Sequence, residues 1–384
     1  MERTLVLERP RLLFLINEDF YFWSHRLDLA RAARDSGFEV LVATRVCDHG
    51  QRIQDEGFRL LPIRFRRGTQ NPLRELAAIA ELVRIYRRER PDIVHHVALK
   101  HVLYGSLAAR LSGIPAMVNA FTGLGYVFIA SGPWTRLLRS SVSGLLRWAL
   151  AVPNCRVIFQ NREDLEHLVE SGIVKRDRSV IIRGAGVDLS RFVALPEATG
   201  ELVIVLAARM LWDKGIGEFV KAARLLKESG ARARYVLVGM LDEANPANIS
   251  KSQLLGWEEE GVIEWWGHRE DMPQILASAH IVVLPSYREG LPKVLLEAAA
   301  CGRPIVSTDV PGCREIVKHG HNGFLVAPRD CFALAKAIGE LIGDPALRTR
   351  MGARGRDMVV SEFSSEKVAR ETIALYRTLL RNRS

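Results

Sequence analysis

A segment in the last third of the chain contains a glycine–proline turn next to a hydrophobic strand pattern. It covers residues 281–309 and reads IVVLPSYREGLPKVLLEAAACGRPIVSTD. The pattern predicts a strand that ends at Ser286 and a helix whose first residue is Pro292, because proline suits the first helical position. Gly290 allows a ligand to approach the backbone closely. The N–H groups of residues 290–295 would then face that ligand at the positive end of the helix dipole, which predicts a diphosphate-binding turn.

Two carboxylates flank this turn. Glu289 precedes the predicted helix, and Glu297 lies eight residues later, inside it. The two side chains can therefore contact different parts of one extended ligand. A pair with this spacing arises easily by chance, so it indicates a binding site only together with the predicted strands and helices around it.

Two cations follow another predicted strand. Residues 207–215 read AARMLWDKG, with Arg209 just after the strand and Lys214 at the opening of the next helix. Two cations at the carboxyl end of a strand can neutralise a diphosphate without a metal, and the sequence contains no Asp-x-Asp pair. Arg209 alone is also compatible with a surface salt bridge. Together with the glycine–proline turn, the pattern predicts a diphosphate site that needs no metal or other cofactor.

Continuous apolar runs separated by helical patterns occur in both halves of the chain, as is typical of parallel sheets covered on both faces. The predicted strands are 11–17, 38–44, 58–63, 92–97, 116–121, 157–161 and 179–184, and then 202–207, 235–239, 262–267, 281–286 and 304–308. The pattern restarts after a loop rich in Ala, Pro, Thr and Gly at 194–200.

We therefore predict an α/β protein made of two doubly wound, Rossmann-like domains. The first covers residues 1–190 and the second residues 191–363, and a C-terminal helix over 364–384 crosses back to the first. Ligands of such sheets bind beyond the carboxyl ends of the strands. We expect the two sheets to face each other across a cleft that holds the chemistry.

Positive charge is concentrated in the first half. The 384 residues have a net charge of +10, and no acidic residue occurs between Asp92 and Glu163. The sequence lacks a reader motif for nucleic acid, so we expect none to bind. A solvated surface and contact with anionic lipid remain as alternatives. The five scattered cysteines indicate a cytoplasmic protein with reduced thiols. We expect no signal peptide, because the first residues lack an apolar run of the required length.

A candidate membrane contact lies in residues 126–153, where large apolar side chains recur at helical spacing and arginines interrupt them, as in an interfacial helix. The candidate contacts are Trp134, Arg136, Arg139, Arg147 and Trp148. An ordinary core helix would give a similar pattern. The uncharged stretch at 111–135 contains two prolines and four glycines, which argues against a membrane span. We expect a protein that is peripheral on the inner face of the cytoplasmic membrane.

These motifs together resemble the retaining glycosyltransferase family 4, whose members have the GT-B fold. The resemblance rests on the R-x4-K-G element, Trp266-Gly267-His268, EGLPKVLLEAAACGRPIV, VPGCREIV and HNGFLV. It implies that Arg209 and Lys214 bind the diphosphate of the sugar donor. The remaining implied donor contacts are Glu297 at the ribose hydroxyls, Glu289 at the sugar hydroxyls, Gly290, Leu291 and Lys293 beside the phosphates and sugar, and the backbone near His268 and Arg269 at the base.

The first half resembles a narrower group, the bacterial enzymes that extend undecaprenyl-diphosphate-linked sugars in capsule, O-antigen or glycoprotein glycan synthesis. The resemblance rests on residues 91–128, PDIVHHVALKHVLYGSLAARLSGIPAMVNAFTGLGYVF. Many members carry a histidine near the reacting centre that is absent here, so other side chains are candidates for acceptor contact. These are Asn119, Thr122, Lys100, His96, and Arg26 as a phosphate partner. His95 and His96 point to opposite faces of one strand, and a packed histidine is as consistent as a site residue.

The expected activity is retaining transfer of a sugar, such as an N-acetylhexosamine, from a UDP-sugar to a lipid-diphosphate-linked saccharide. A nucleotide-sugar epimerase of the same fold is one alternative, against which the EGLPKVLLEA element argues. A non-catalytic sugar-nucleotide-binding protein is the other, although binding alone does not require the four residues Arg209, Lys214, Glu289 and Glu297.

Overall fold

The computed structural model describes residues 9–64, 71–123, 133–243 and 245–382, without the side chains of residues 72 and 133–138. The chain divides into two compact units, Met1–Ala185 with Glu366–Ser384, and Gly186–Ser365. Each unit contains its own parallel β-sheet. This confirms the predicted fold class of two doubly wound, Rossmann-like halves.

The first unit alternates strands and helices along the chain. Its elements are β1 (Arg11–Glu18), α1 (Asp19–His25), α2 (Leu27–Asp35), β2 (Glu39–Arg45), α3 (Gly50–Asp55), β3 (Arg59–Pro62), α4 (Pro72–Glu89), β4 (Ile93–Val97), α5 (Leu99–Leu111), β5 (Ala116–Phe121), α6 (Pro133–Leu150), β6 (Cys155–Phe159), α7 (Arg162–Glu170) and β7 (Ser179–Ile181). Alternate residues of β1 belong to two separate hydrophobic clusters, with Leu13 in one and Phe14 in the other. The sheet is thus covered on both faces, as its continuous apolar strands predict.

The seven strands of this sheet run parallel in the order β3-β2-β1-β4-β5-β6-β7. The order reverses between β1 and β4, where Phe14 lies opposite His95. Such a reversal is the point at which open α/β sheets bind ligands, beyond the carboxyl ends of the strands.

The second unit repeats the alternation. Its elements are β8 (Leu202–Ala207), α8 (Ile216–Glu228), β9 (Ala233–Val238), α9 (Lys251–Glu259), β10 (Glu264–Trp265), α10 (Met272–Ser278), β11 (Ile281–Leu284), α11 (Lys293–Ala300), β12 (Ile305–Thr308), α12 (Pro311–Ile316), β13 (Gly323–Val326), α13 (Cys331–Gly343) and α14 (Pro345–Glu362). The parallel order is β10-β9-β8-β11-β12-β13. The reversal lies between β8 and β11, the two strands that precede the predicted diphosphate-binding residues.

The last helix, α15 (Ser365–Arg381), packs against the first sheet. Its buried residues Val368, Ile373 and Leu379 share a hydrophobic cluster with Phe14. Asn154 Nδ2 also donates to the carbonyl of Leu379 at 2.9 Å. The helix therefore covers one face of the sheet at β1 and β4.

Candidate functional site

Lys214 and Glu289 meet at the strand-order reversal of the second sheet. Lys214 follows β8 and Glu289 follows β11, which pair directly with Val205 opposite Val282. Lys214 Nζ lies 2.5 Å from Glu289 Oε1, and both side chains are largely buried, with 21% and 11% exposed. The two residues for which the family resemblance implies phosphate and sugar contacts are therefore adjacent.

Glycine at position 215 makes this approach possible. Gly215 has φ +73°, and a Cβ there would lie 2.1 Å from the carbonyl oxygen of Pro285. No other residue fits without moving one of the two loops. A backbone hydrogen bond from Tyr287 N to the carbonyl of Asp213, at 2.9 Å, ties the same loops together.

Arg209 lies at the end of β8 and is paired with an acid that the sequence analysis did not select. Its Nη1 is 2.5 Å from Asp242 Oδ2. The backbone N–H of Asp242 in turn donates to Asn248 Oδ1 at 2.9 Å. Asp242 therefore orients the guanidinium. No motif identified it, because it lies in the loop after β9, far from Arg209 along the chain.

Helix α11 begins one residue later than the sequence predicts. Pro292 has ψ 112°, an extended conformation, and precedes the helix as its N-cap, so Lys293 is the first helical residue. The predicted strand also ends earlier, at Leu284 instead of Ser286. Since the first N–H groups of a helix have no partner inside it, the anion-binding character expected of this turn applies to the N–H groups of Lys293 and Val294. The N–H of Leu295 already donates to the carbonyl of Pro292 at 3.1 Å.

Glu297 lies on α11 one turn after Lys293, and Lys293 Nζ is 2.5 Å from its Oε1. Both side chains are partly buried, at 22% and 11% exposed. Leu291, at 9% exposed, is buried in the core of the second unit. It therefore supports the turn through packing.

Gly312 supports the turn from α12. A Cβ at this position would lie 2.4 Å from the carbonyl oxygen of Gly290 and 2.7 Å from that of Glu289. The next residue, Cys313, has its pKa raised to about 12, chiefly by burial and then by the charge of Glu289. Sequence reasoning quoted this glycine only as part of a family motif, because its contact depends on tertiary packing.

Tyr287 is a further residue that sequence reasoning missed, although it lies inside the quoted turn. Its hydroxyl donates to Glu218 Oε1 at 2.8 Å, and the guanidinium of Arg329 lies 4.6 Å from its ring centre. Burial, together with the hydrogen bond to Glu218, raises the pKa of Tyr287 to about 12. Tyr287 thus connects the turn to α8.

The predicted base-binding segment follows β10. Gly267 accepts a hydrogen bond from Gly239 N at 2.8 Å, which fixes the loop to the end of β9. His268 and Arg269 are exposed, and Arg269 forms a two-point ion pair with Asp271 at 2.8 and 2.6 Å. The backbone here is therefore held in place while both side chains lie on the surface.

Two predicted acceptor contacts in the first unit are core residues in this structure. His96 and Asn119 are both 0% exposed, and His96 Nδ1 is 2.7 Å from Asn119 Oδ1. Tyr86 and Ser106 complete this network at 3.0 and 2.9 Å. Burial lowers the pKa of His96 to about 4. The geometry gives no support to acceptor contact by either residue, because β4 and β5 are covered on both faces.

The other predicted acceptor residues have different surroundings. Lys100, on the first turn of α5, forms an ion pair of 2.9 Å with Glu75. Thr122 is half-buried just after β5. Arg26 lies between α1 and α2 and is 4% exposed. Thr122 and Arg26 therefore remain candidates for ligand contact, and Lys100 has a carboxylate partner.

Helix α6 has one buried and one exposed face. Leu146 and Ala149 are buried, whereas Leu145 and Trp148 are each 47% exposed. The guanidinium of Arg110 stacks over the Trp148 ring at 4.1 Å. One face of the helix is therefore buried, as in an ordinary core helix. Its other face presents an apolar and basic surface.

The arginines of this helix differ in their surroundings. Arg147 donates to the carbonyls of Gly172 and Ser171 at 2.9 and 3.2 Å, and Arg139 is half-buried. The side chains of Trp134 and Arg136 lie outside the described residues, as do residues 126–132. Within the described ranges, no helix is both long enough and apolar enough to cross a bilayer.

Two family models match the two halves of the chain. A model described as glycosyl transferase 4-like matches residues 11–161, and one described as glycosyl transferases group 1 matches residues 201–344. The second match contains Arg209, Lys214, Glu289 and Glu297. The chain is a family-4 glycosyltransferase.

Curated relatives align with most of the glycosyltransferase. One is the N,N'-diacetylbacillosaminyl-diphospho-undecaprenol alpha-1,3-N-acetylgalactosaminyltransferase of Campylobacter jejuni, 28% identical, with 97% of this chain and 100% of the relative covered. Another is the UDP-Gal:alpha-D-GlcNAc-diphosphoundecaprenol alpha-1,3-galactosyltransferase of Escherichia coli, 25% identical, with 81% of this chain and 81% of the relative covered.

Solved structures share the fold of this glycosyltransferase. Sucrose-phosphate synthase from Thermosynechococcus elongatus superposes with a TM-score of 0.79 at 21% identity, covering 97% of this chain and 100% of that one. HepE of Anabaena in complex with UDP-glucose gives 0.75 at 20% identity, covering 96% and 99%. These likenesses confirm the GT-B fold.

Proposed function

We propose that this glycosyltransferase moves a sugar from a UDP-sugar to a saccharide that is linked through a diphosphate to a lipid, with retention of the anomeric configuration. The observation that carries the proposal is the 2.5 Å contact between Lys214 and Glu289 at the strand-order reversal of the second sheet. It supplies a cation for a diphosphate and a carboxylate for sugar hydroxyls at one point. Relatives named for diphospho-undecaprenol acceptors support the acceptor class.

Charge stabilisation of the leaving diphosphate is the main chemical task. As the bond between the sugar and the diphosphate breaks, negative charge develops on the phosphate oxygens. Arg209 and Lys214, with the first N–H groups of α11, are proposed to stabilise this charge. One preorganised donor of this type contributes roughly 2.7–4 kcal/mol to lowering the barrier. Because these groups supply positive charge themselves, we propose transfer without a metal or other cofactor.

The carboxylates hold the two ends of the donor in this proposal. Glu289 accepts hydrogen bonds from the sugar hydroxyls, and Glu297 accepts them from the ribose hydroxyls. Lys293 supplies positive charge beside the phosphates, whether it stays paired with Glu297 or turns towards the phosphates. The backbone at Gly267–Arg269 contacts the base.

Retention follows from attack on the face from which the diphosphate leaves. The acceptor oxygen forms the new bond to the anomeric carbon while the old carbon–oxygen bond breaks. The proton of the acceptor hydroxyl passes to the departing phosphate oxygen, so no separate base is required.

The acceptor lipid places the enzyme at a membrane surface in this proposal, on the inner face of the cytoplasmic membrane. The exposed face of α6, with Leu145 and Trp148, supports contact with anionic lipid, together with Arg110 of α5, which stacks on the Trp148 ring. Thr122 and Arg26 are the proposed acceptor contacts of the first unit. We propose no role for nucleic acid.

The test is UDP release from a panel of UDP-sugars, each with and without undecaprenyl-diphosphate-linked monosaccharides. Release that requires both one donor and one acceptor is expected. Release without any acceptor would favour the epimerase alternative, to which the transferase relatives give no support. UDP binding without release in any combination would favour the non-catalytic alternative.

A further inference from the structure

Tyr287 makes two hydrogen bonds that reach the chain on both sides of Lys214. Its backbone N–H donates to the carbonyl of Asp213, the residue before Lys214, at 2.9 Å. Its hydroxyl donates to Oε1 of Glu218, four residues after Lys214, at 2.8 Å. Tyr287 itself lies two residues before Glu289. One residue therefore joins the segment that carries Lys214 to the turn that carries Glu289.

The Tyr287 hydroxyl is a hydrogen-bond donor at neutral pH. Burial, together with the hydrogen bond to Glu218, raises the pKa of Tyr287 to about 12, so the phenol keeps its proton. Glu218 lies in the first turn of α8, where the helix dipole favours a carboxylate. Its other oxygen, Oε2, is buried without a hydrogen bond. Among the described residues, the carboxylate of Glu218 therefore has its hydrogen bond from Tyr287 alone.

Arg329 covers the Tyr287 ring from the loop between β13 and α13. Its guanidinium lies 4.6 Å from the ring centre, within the range of a cation–π contact. Arg329 has φ +67°, a left-handed conformation that is unfavourable for a residue with a Cβ. Such strain persists only where the surrounding structure holds it. Loops that follow β8, β11 and β13 at one edge of the second sheet therefore converge on one tyrosine.

We propose that Tyr287 is a positioning residue that holds Glu289 and Lys214 in the arrangement required for sugar transfer. It rests on the proposed function, in which Glu289 contacts the transferred sugar and Lys214 the diphosphate. Loss of the Tyr287 hydroxyl removes the link between the turn and α8, so the carboxylate of Glu289 is no longer held at the sugar. A displacement of about 1 Å at a reacting centre can cost about 100-fold in rate.

Steady-state kinetics of Tyr287→Phe test this role. The substitution keeps the aromatic ring beneath Arg329 and removes only the hydroxyl. Its kcat should fall at least about fivefold, with the KM for the lipid-linked acceptor within about twofold of the wild type. Tyr235→Phe is the matched control and should behave as the wild type, because Tyr235 is 1% exposed in the same unit and its hydroxyl has no hydrogen bond. An unchanged kcat in Tyr287→Phe would overturn the proposal.

Two variants of Glu218 separate the hydrogen bond from side-chain packing. Glu218→Gln retains an oxygen that accepts from the Tyr287 hydroxyl, so its kcat should stay within about threefold of the wild type. Glu218→Met has a similar size but lacks this acceptor, and its kcat should fall as in Tyr287→Phe. Equal kcat values in the two Glu218 variants would overturn the proposal.

Coupling to Glu289 distinguishes positioning from a general loss of stability. In the Glu289→Gln background, Tyr287→Phe should lower kcat by less than about twofold further, because the residue through which it acts is already altered. Calorimetric titration uses UDP and the UDP-sugar that the wild type binds most tightly. The ratio of UDP-sugar affinity to UDP affinity should fall at least about threefold in Tyr287→Phe. A lowered Tm with an unchanged ratio and independent effects on kcat would assign Tyr287 to stability alone and overturn the proposal.

The affinity ratio also separates this proposal from the proposed function. If the wild type transfers sugar to no acceptor, while Tyr287→Phe lowers the ratio and Tyr235→Phe does not, the proposed function fails and the positioning role stands. If the wild type transfers sugar to a lipid-linked acceptor and Tyr287→Phe leaves both the ratio and kcat unchanged, the positioning role alone is overturned.

Discussion

Lys214 and Glu289 form an ion pair, with Nζ 2.5 Å from Oε1, although 75 residues separate them along the chain. Their loops leave neighbouring parallel strands at the same sheet edge. Because each is the partner of the other in a largely buried position, replacing one leaves an unpaired charge. Effects of the two substitutions should therefore not be additive.

Glu289→Gln should lower kcat about 10- to 100-fold, because a neutral amide makes weaker hydrogen bonds to the sugar hydroxyls than a carboxylate does. UDP affinity should change little, since UDP lacks the transferred sugar that Glu289 is proposed to contact. Initial rates and UDP titration measure the two effects. Glu259→Gln, an exposed position on α9, is the matched control and should behave as the wild type. Wild-type turnover in Glu289→Gln would remove this residue from the site.

Lys214→Met should lower kcat about 100- to 1,000-fold, because a positive charge beside the leaving diphosphate is lost. It should also weaken UDP binding. Lys221→Met on the exposed face of α8 serves as the control. The double variant Lys214→Met/Glu289→Gln should bind UDP no worse than Lys214→Met alone, because no unpaired carboxylate remains. Strictly additive losses in this cycle would contradict direct coupling of the two residues.

Gly312→Ala should impair both stability and turnover. The new Cβ would lie 2.4 Å from the carbonyl oxygen of Gly290, so the turn that holds Glu289 must move. A loss of roughly 1–3 kcal/mol in the free energy of unfolding is expected, with a reduced kcat. Gly256→Ala on α9 has nothing within 4 Å of its Cβ and should stabilise the protein slightly. Denaturant unfolding measures the stability of both variants, and initial rates measure their kcat. An unchanged free energy of unfolding and an unchanged kcat in Gly312→Ala would show that the turn is not constrained.

The second sheet was predictable because its motifs lie at strand ends. Lys214, Glu289 and the turn at Gly290 follow apolar runs, and parallel strands bring their carboxyl ends to one edge. The first unit was less predictable, because β4 is covered on both faces and its sequence alone does not show that both His95 and His96 are buried. Burial of His96 with Asn119, and the pairing of Arg209 with Asp242, depend on residues distant in sequence.

Exposed apolar side chains on α6 should contribute to vesicle binding. Leu145→Ser with Trp148→Ser should reduce co-sedimentation with vesicles containing anionic lipid by several-fold, while UDP binding is unchanged. Phe332→Ser, 72% exposed on the second unit, is the control and should bind vesicles as the wild type does.

Substitution of the arginines in the same segment tests the electrostatic contribution to vesicle binding. Replacing Arg136, Arg139 and Arg147 with Glu should also weaken vesicle binding, and more so at low salt. If neither set of substitutions reduces binding, the membrane contact proposed for this helix is wrong.

His96 should make stability depend on pH. Its pKa is lowered to about 4 in the folded protein by burial, whereas that of an unfolded histidine is near 6.5. The unfolded state therefore binds more protons between these values, and the contribution of neutral His96 is present above about pH 6.5 and lost as pH falls toward about 4. The Tm should fall over this window, and His96→Gln should show a shallower fall. Equal slopes in the two proteins would contradict a buried neutral His96.

The mass of the lipid-linked product tests sugar transfer most directly. Undecaprenyl-diphosphate-linked monosaccharide is incubated with the full-length protein and each UDP-sugar, and the lipid fraction is analysed by mass spectrometry. With the wild type, we expect one donor to add the mass of a single sugar to the lipid. With Glu289→Gln, we expect the same mass to be added far more slowly. An unchanged lipid mass with every donor, in the presence of protein that binds UDP, would contradict transfer to a lipid-diphosphate-linked saccharide.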